Sequence, residues 1–172
     1  MTKELKVIAF DLFGTVLDFA GVDRDEVRAY AQQLRDSRAN GWRPLQLPKH
    51  WERLKAFPDA ADGLKLLRTK YRVVTCSNAP LELQTVLVAN NGLPFDALIP
   101  LEANQVYKPD FRAYMTVCQI MSVEPENVLM VTANKDFGDL EGAEAAGMKS
   151  VLIRDDNIPT ITALAELLEC SN

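Results

Sequence analysis

A chain of 172 residues, 48% apolar and 25% charged, has the length and composition of one globular domain that can bury a full core without staples. Twenty-four acidic against nineteen basic residues leave a net charge of -5, which argues against binding to nucleic acid or to an anionic membrane surface. No apolar run reaches the length of a membrane span, and the start MTKELKVIAF has no signal-peptide apolar region, so the expected compartment is the cytoplasm. Cys76, Cys118 and Cys170 are odd in number and lack metal-ligand spacing, and the single His50 leaves almost no room for histidine-based sites.

In chain order, short β-rich runs at 7–10, 72–76, 97–99, 128–132 and 150–153 alternate with helical patterns. Leu83, Val86 and Leu87 mark a helix after Pro80. Phe111, Tyr114, Met115, Cys118 and Met121 mark another after Pro109-Asp110, and Ile161, Leu164, Ala165 and Leu168 a third, with Thr160 as its cap. This alternation predicts an α/β fold, a doubly wound parallel sheet with right-handed crossovers.

One interval breaks the pattern. Between the first strand and a helix over 60–70, roughly forty residues carry no strand pattern. Val27, Tyr30, Ala31 and Leu34 give this insert an amphipathic helix, and a loop from Gly41 to Pro48 leads to a shorter helical piece around Trp51 and Leu54. Segment 19–57 holds eight Lys or Arg and five Asp or Glu. It is either a solvated helical face or a small basic cap on an acidic body, drawing an anionic substrate to the sheet. The expected division is a core of 1–18 with 58–172 and a cap insert of 19–57.

Ligands of doubly wound sheets bind beyond the carboxyl ends of the strands, so the strand ends carry the chemistry. The first ends in FDLFGTVLD, with Asp11 at the tip of an apolar run; such an acid is paired, cation-bound or neutral. The second ends in TCSNAP, placing Ser77 and Asn78 before a helix N-terminus, as an N-cap or an anion site. Lys108 precedes the Pro109 helix, and Thr132, Asn134, Asp136 and Asp139 follow the fourth strand. Each signal alone has an ordinary structural reading; their order along four strands does not.

That ordered set resembles the haloacid dehalogenase superfamily, across essentially the whole chain. The resemblance implies strand order 3-2-1-4-5, Asp11 as a nucleophile forming an aspartyl ester, and Lys108 as its compensating cation. It implies Ser77 and Asn78, with Thr15, on the substrate or intermediate, and Asp139 and Asn134 holding Lys108, positioning water or facing a metal. Family phosphatases carry a second Asp two residues after the nucleophile; here that position is Phe13, which transfers no proton. The L-2-haloacid dehalogenase branch has an aromatic residue there, a tyrosine six residues after its lysine, matched by Tyr114, and a serine-x-asparagine pair, to which Thr132 and Asn134 are similar.

Two departures stand beside this. Asn134 and Asp139 are five apart, a phosphatase-like spacing, and the insert is about half the length of a dehalogenase cap. Arg43, beside Trp42, is the candidate for the cap's substrate-binding arginine, with Arg38 behind it; Trp42 itself reads as a hydrophobic plug. Mg²⁺ would use Asp11, the Phe13 carbonyl and Asp139, a site weakened by Asn134. The expected function is a hydrolase of a small, anionic organic substrate, haloacid dehalogenase-like, acting as a monomer or homodimer. The alternatives are a Mg²⁺-dependent phosphatase or phosphonatase-type hydrolase, and a degenerate member that binds without turnover.

Overall fold

The structure, a computed structural model, describes residues 4–170; residues 1–3 and 171–172 of the expected core lie outside it. In chain order it contains β1 (Val7–Phe10), α1 (Arg24–Asn40), α2 (Ala60–Arg68), β2 (Arg72–Thr75), α3 (Leu81–Asn91), α4 (Phe111–Met121), β3 (Val128–Thr132), α5 (Asp139–Ala145), β4 (Lys149–Leu152) and α6 (Ile161–Cys170). The strands form one parallel sheet in the order β2-β1-β3-β4. Val7 lies opposite both Arg72 and Val128, and Leu129 opposite Lys149.

Alternation along the strands divides the core in two. Ile8 and Phe10 join Val73, Leu129 and Val131 on one face, under Leu64 and Leu67 of α2, Leu87 of α3 and Ile161 and Leu164 of α6. Val7 and Ala9 join Val74, Val128 and Met130 on the other, under Tyr114, Val117 and Cys118 of α4 and Ala143 of α5. Because β1 is covered on both faces, every one of its residues is buried, and its run is wholly apolar.

The expected five-strand order needs one correction. Run 97–99 is not a strand but a single parallel bridge between Ala97 and Val74, at the outer edge of β2. The Thr75 N–H donates to the Ala97 carbonyl at 3.2 Å, whereas the Ile99 N–H is taken by Thr75 Oγ1 at 2.9 Å. Pro94 and Pro100 bracket the run. Proline has no N–H to donate and is confined to sheet edges, so the ladder stops after one rung.

Helix starts follow the local chemistry. Asp23 accepts the N–H groups of Asp25 and Glu26 at 2.8 and 3.3 Å to open α1, and Thr160 Oγ1 accepts the Ala163 N–H at 2.9 Å to open α6. Within the insert, the helical piece expected around Trp51 is a 3-10 turn, Lys49–Arg53. Trp51 is fully buried, and its ring meets those of Phe13, Phe19 and Tyr30 with centroids 5.3, 5.0 and 5.8 Å away. Glu26 of α1 accepts from Trp51 Nε1 at 3.0 Å and lies 3.0 Å from His50 Nε2, tying the turn to the helix. Among the described residues, no helix is long and apolar enough to cross a membrane.

Candidate active site

Three strand ends and one loop converge on a buried lysine. Asp11 follows β1, Asp139 opens α5 after β3, and Lys108 precedes α4; the three are 5%, 3% and 4% exposed. Lys108 Nζ donates to Asp11 Oδ1 at 2.9 Å and to Asp139 Oδ2 at 2.7 Å. Its position is set by Asn78, whose Oδ1 accepts the Lys108 N–H at 2.8 Å while its Nδ2 donates to the Lys108 carbonyl at 3.3 Å. Asn78 thus brackets the lysine backbone from the end of β2. Ser77, 1% exposed, accepts the Ala79 N–H through Oγ at 3.1 Å; it closes the turn that presents Asn78.

The second oxygen of Asp11 is held separately. Oδ2 accepts from Thr15 Oγ1 at 3.1 Å and from Asn134 Nδ2 at 2.6 Å. Thr15 is reached because the chain turns sharply at Gly14, whose φ of +77° favours glycine. Thr15 Oγ1 in turn accepts the Ala133 N–H at 2.9 Å, joining the β1 and β3 loops. Asp139 Oδ2 also accepts from Thr132 Oγ1 at 3.1 Å.

Burial, opposed by Lys108, pushes the Asp11 carboxyl above the usual carboxylate value. Burial would lower the Lys108 ammonium, but the carboxylates of Asp11 and Asp139 outweigh it and hold its pKa well above normal. The lysine is therefore a fixed cation, and a carboxylate lies on each side of it.

A cavity of about 240 Å³ opens over this network. Asp11, Phe13, Asn78, Lys108, Asn134, Phe137 and Asp139 line it from the sheet side, and Phe19, Val27 and Tyr30 from the insert. Ser77, expected on the substrate, does not line it, and three further expected contact residues are placed elsewhere. Thr15 is fully buried and meets Asp11, not the cavity. Tyr114, fully buried on α4, donates its hydroxyl to the Asp139 carbonyl at 3.0 Å; it positions Asp139. Arg43 is exposed, and it is its carbonyl that is used, accepting from Tyr107 at 2.8 Å. Trp42 packs on Tyr107 with centroids 5.8 Å apart, so the loop's aromatic residue joins insert to body. Arg38 lines a neighbouring cavity of about 210 Å³ that Lys108 also lines.

The sequence places Val27 and Tyr30 in the apolar stripe of α1 and singles out neither Phe19 nor Phe137. A tyrosine in such a stripe carries a polar tip, and that was the available signal for Tyr30. For Phe137, 41% exposed in the loop before α5, a large apolar residue among polar neighbours was the only sign.

The residues present do not fit Mg²⁺. Both carboxylate oxygens of Asp11, the Phe13 carbonyl and Asp139 Oδ2 each face an N–H donor. Asn134 Nδ2 bridges Asp11 Oδ2 and, at 3.3 Å, the Phe13 carbonyl, while Lys108 bridges Asp11 and Asp139. Two acceptors require the amide nitrogen between them, so Asn134 cannot offer its oxygen there without facing acceptors with an acceptor.

The model of the haloacid dehalogenase-like hydrolase family matches residues 38–147, more than half of the chain. A curated (S)-2-haloacid dehalogenase of Xanthobacter autotrophicus is 36% identical over 136 residues, a match spanning 74% of this chain and 53% of that enzyme, about half its length. Among solved structures, a defluorinating L-2-haloacid dehalogenase superposes with a TM-score of 0.80 at 26% identity, covering 96% of this chain and 95% of the other. An L-2-haloacid dehalogenase from Xanthobacter autotrophicus with chloropropionic acid covalently bound superposes with a TM-score of 0.79 at 20% identity, over 96% and 98% of the two chains, and shares the fold. By the family match and by the parallel sheet that carries these residues, the chain belongs to the haloacid dehalogenase-like hydrolases.

Proposed function

We propose that the protein hydrolyses a small 2-halo acid through an ester on Asp11, with segment 19–57 as the cap over the site. The observation that carries this is the lysine-bridged Asp11, with each carboxylate oxygen separately held and a phenylalanine where a proton donor would stand. An Asp11 oxygen attacks the halogen-bearing carbon, the carbon–halogen bond breaks, and the halide leaves without needing a proton. If Oδ1 forms the ester, Oδ2 becomes its carbonyl oxygen. Thr15 Oγ1 and Asn134 Nδ2 then already donate to the atom on which charge develops when water attacks, a preorganised oxyanion site. Asp139, lining the same cavity, is the carboxylate placed to take the water's proton. Collapse of the intermediate breaks the bond to the substrate-bound oxygen, Asp139 returns the proton to that oxygen, and the 2-hydroxy acid leaves with Asp11 restored.

The relatives named for 2-haloacids support this substrate class, as does the donor set around Asp11, which leaves no place for Mg²⁺. The reading is of a cytoplasmic enzyme with a small-molecule substrate, and the same geometry gives no support to a phosphatase. Its test is release of halide from 2-chloropropionate without added metal, with Asp11→Asn as the comparison. We expect the variant to lose about 10⁴-fold or more in kcat. A single turnover in heavy-oxygen water should put the label into the Asp11 carboxylate, not directly into the product. An active Asp11→Asn variant, or label entering product in the first turnover, refutes the ester.

A further inference from the structure

We propose that Tyr30 is the leaving-group residue of this enzyme, donating its hydroxyl to the departing halide; this rests on the reading of Asp11 as the nucleophile. Three residues of the insert line the catalytic cavity: Phe19, Val27 and Tyr30. Only Tyr30 brings a polar side-chain atom. Among the described residues, no arginine lines the cavity, and the one cation that does, Lys108, is engaged by two carboxylates. A displaced anion on the insert side therefore meets the Tyr30 phenol or bare hydrocarbon.

The direction of displacement fits that placement. The leaving atom departs on the side of carbon away from the attacking oxygen. Asp11 belongs to the strand-end floor, so departure is toward the wall that the insert supplies. The Tyr30 ring is clamped edge-on by Phe13 and Trp51, with both centroids 5.8 Å away, and the residue is only 9% exposed. Its hydroxyl is preorganised, which is what makes a donor effective at a developing charge. Burial, with Asp11 adding to it, pushes this phenol's pKa upward, and Asn78 faces the hydroxyl; the group stays protonated over any working pH.

As the Asp11 oxygen bonds to carbon, the carbon–halogen bond breaks and its electron pair leaves with the halogen. Tyr30 gives that anion a hydrogen bond and keeps its proton. The stabilisation grows with the charge density of the anion, so it is largest for chloride and smallest for iodide.

Tyr30→Phe tests this, because it keeps the ring against Phe13 and Trp51 and removes only the donor. Single-turnover rates and steady-state constants are measured for 2-chloro-, 2-bromo- and 2-iodopropionate with the full chain, wild type and variant, alongside thermal unfolding. The expected result is a loss of about 10- to 100-fold in the single-turnover rate for the chloride, less for the bromide and least for the iodide, with the fold retained. An equal loss for all three, a raised KM at unchanged rate, or no change each overturns the assignment, since Tyr30 would then hold the common part of the substrate or nothing. Wild-type turnover with a variant indifferent to the halide removes Tyr30 alone. A wild-type protein that turns over none of the three removes the Asp11 reading, and the role of Tyr30 with it.

Discussion

Replacing Lys108 with methionine keeps the stem of the side chain and deletes the charge between two buried carboxylates. The ammonium now sits 2.9 Å from Asp11 Oδ1 and 2.7 Å from Asp139 Oδ2, with all three side chains 7% exposed or less. Without it, two like charges face each other at about 5 Å, and at an effective dielectric of about 20 they repel by roughly 3 kcal/mol. That is about two pKa units, and it agrees with the roughly 3–5 kcal/mol lost when one partner of a buried ion pair is removed. One carboxylate of the variant should therefore hold a proton near neutrality. A group whose folded pKa is raised contributes stability at low pH and loses it as pH rises through the folded value. The deficit of Lys108→Met should then be largest at pH 8 and shrink toward pH 5, and Asp139→Asn in the same background should recover much of it. Urea unfolding of the three proteins, wild type, Lys108→Met and the double variant, at both pH values measures this. A deficit under about 1 kcal/mol at pH 8, or one that does not change with pH, would show that the carboxylates do not sense each other across the lysine and would refute the reasoning.

The remaining predictions concern the supports of the same network. A Cβ on Gly142 would lie 2.7 Å from the Tyr114 hydroxyl and 2.7 Å from the Pro109 carbonyl, so Gly142→Ala should cost about 1–3 kcal/mol in urea unfolding. It should also lower kcat by displacing Tyr114 from Asp139; an unchanged kcat would separate that hydrogen bond from function. Because burial raises Asp11 above its ordinary 3.8, and only the ionised form attacks, kcat/KM should fall as pH drops through a value above 3.8; an acid limb confined below 3.8 would contradict this. The stabilising pairing of Lys108 is present below its ordinary 10.5 and lost only as pH rises through its higher folded value, so a pH titration of Tm should show no loss from this group near neutrality.

What could be read before the structure was what period and order encode. The strands 7–10 and 128–132, the helix 111–121 and the Thr160 cap are local signals, and Asp11, Lys108 and Asp139 stood at strand ends in the motif order. The fate of 97–99 was less legible: three apolar residues pass for a strand until the prolines on either side are asked where their N–H groups are. Roles inside the site were legible only as residue types. Thr15, Tyr114 and Asn134 were recognisable as polar groups near the chemistry, but whether each faces substrate or a neighbouring side chain depends on angles between elements far apart in sequence. A guanidinium beside a tryptophan suits an anion, which is what marks Arg43 in the sequence. Its loop turns the main chain inward, to Tyr107, and leaves the guanidinium outside. The polar tip of Tyr30 was hidden by its helical spacing, since one residue served both the packing stripe and the cavity.

The aromatic cluster has a further consequence, for hydrogen exchange. Phe13, in the turn after β1, stacks on Phe19 at 5.0 Å and meets Tyr30 and Trp51 edge-on, so the insert is fastened to the sheet's central strand through shared rings. Swinging it away as a hinged flap would uncover four aromatic side chains, each worth about 150–250 Å² of buried surface. Amides near Tyr30 and Leu34 should then exchange through the same opening as those of β1, as one cooperative unit. Solvent and small molecules would reach Asp11 by rearrangement at the rim, where Phe137 stands exposed, while the insert stays seated.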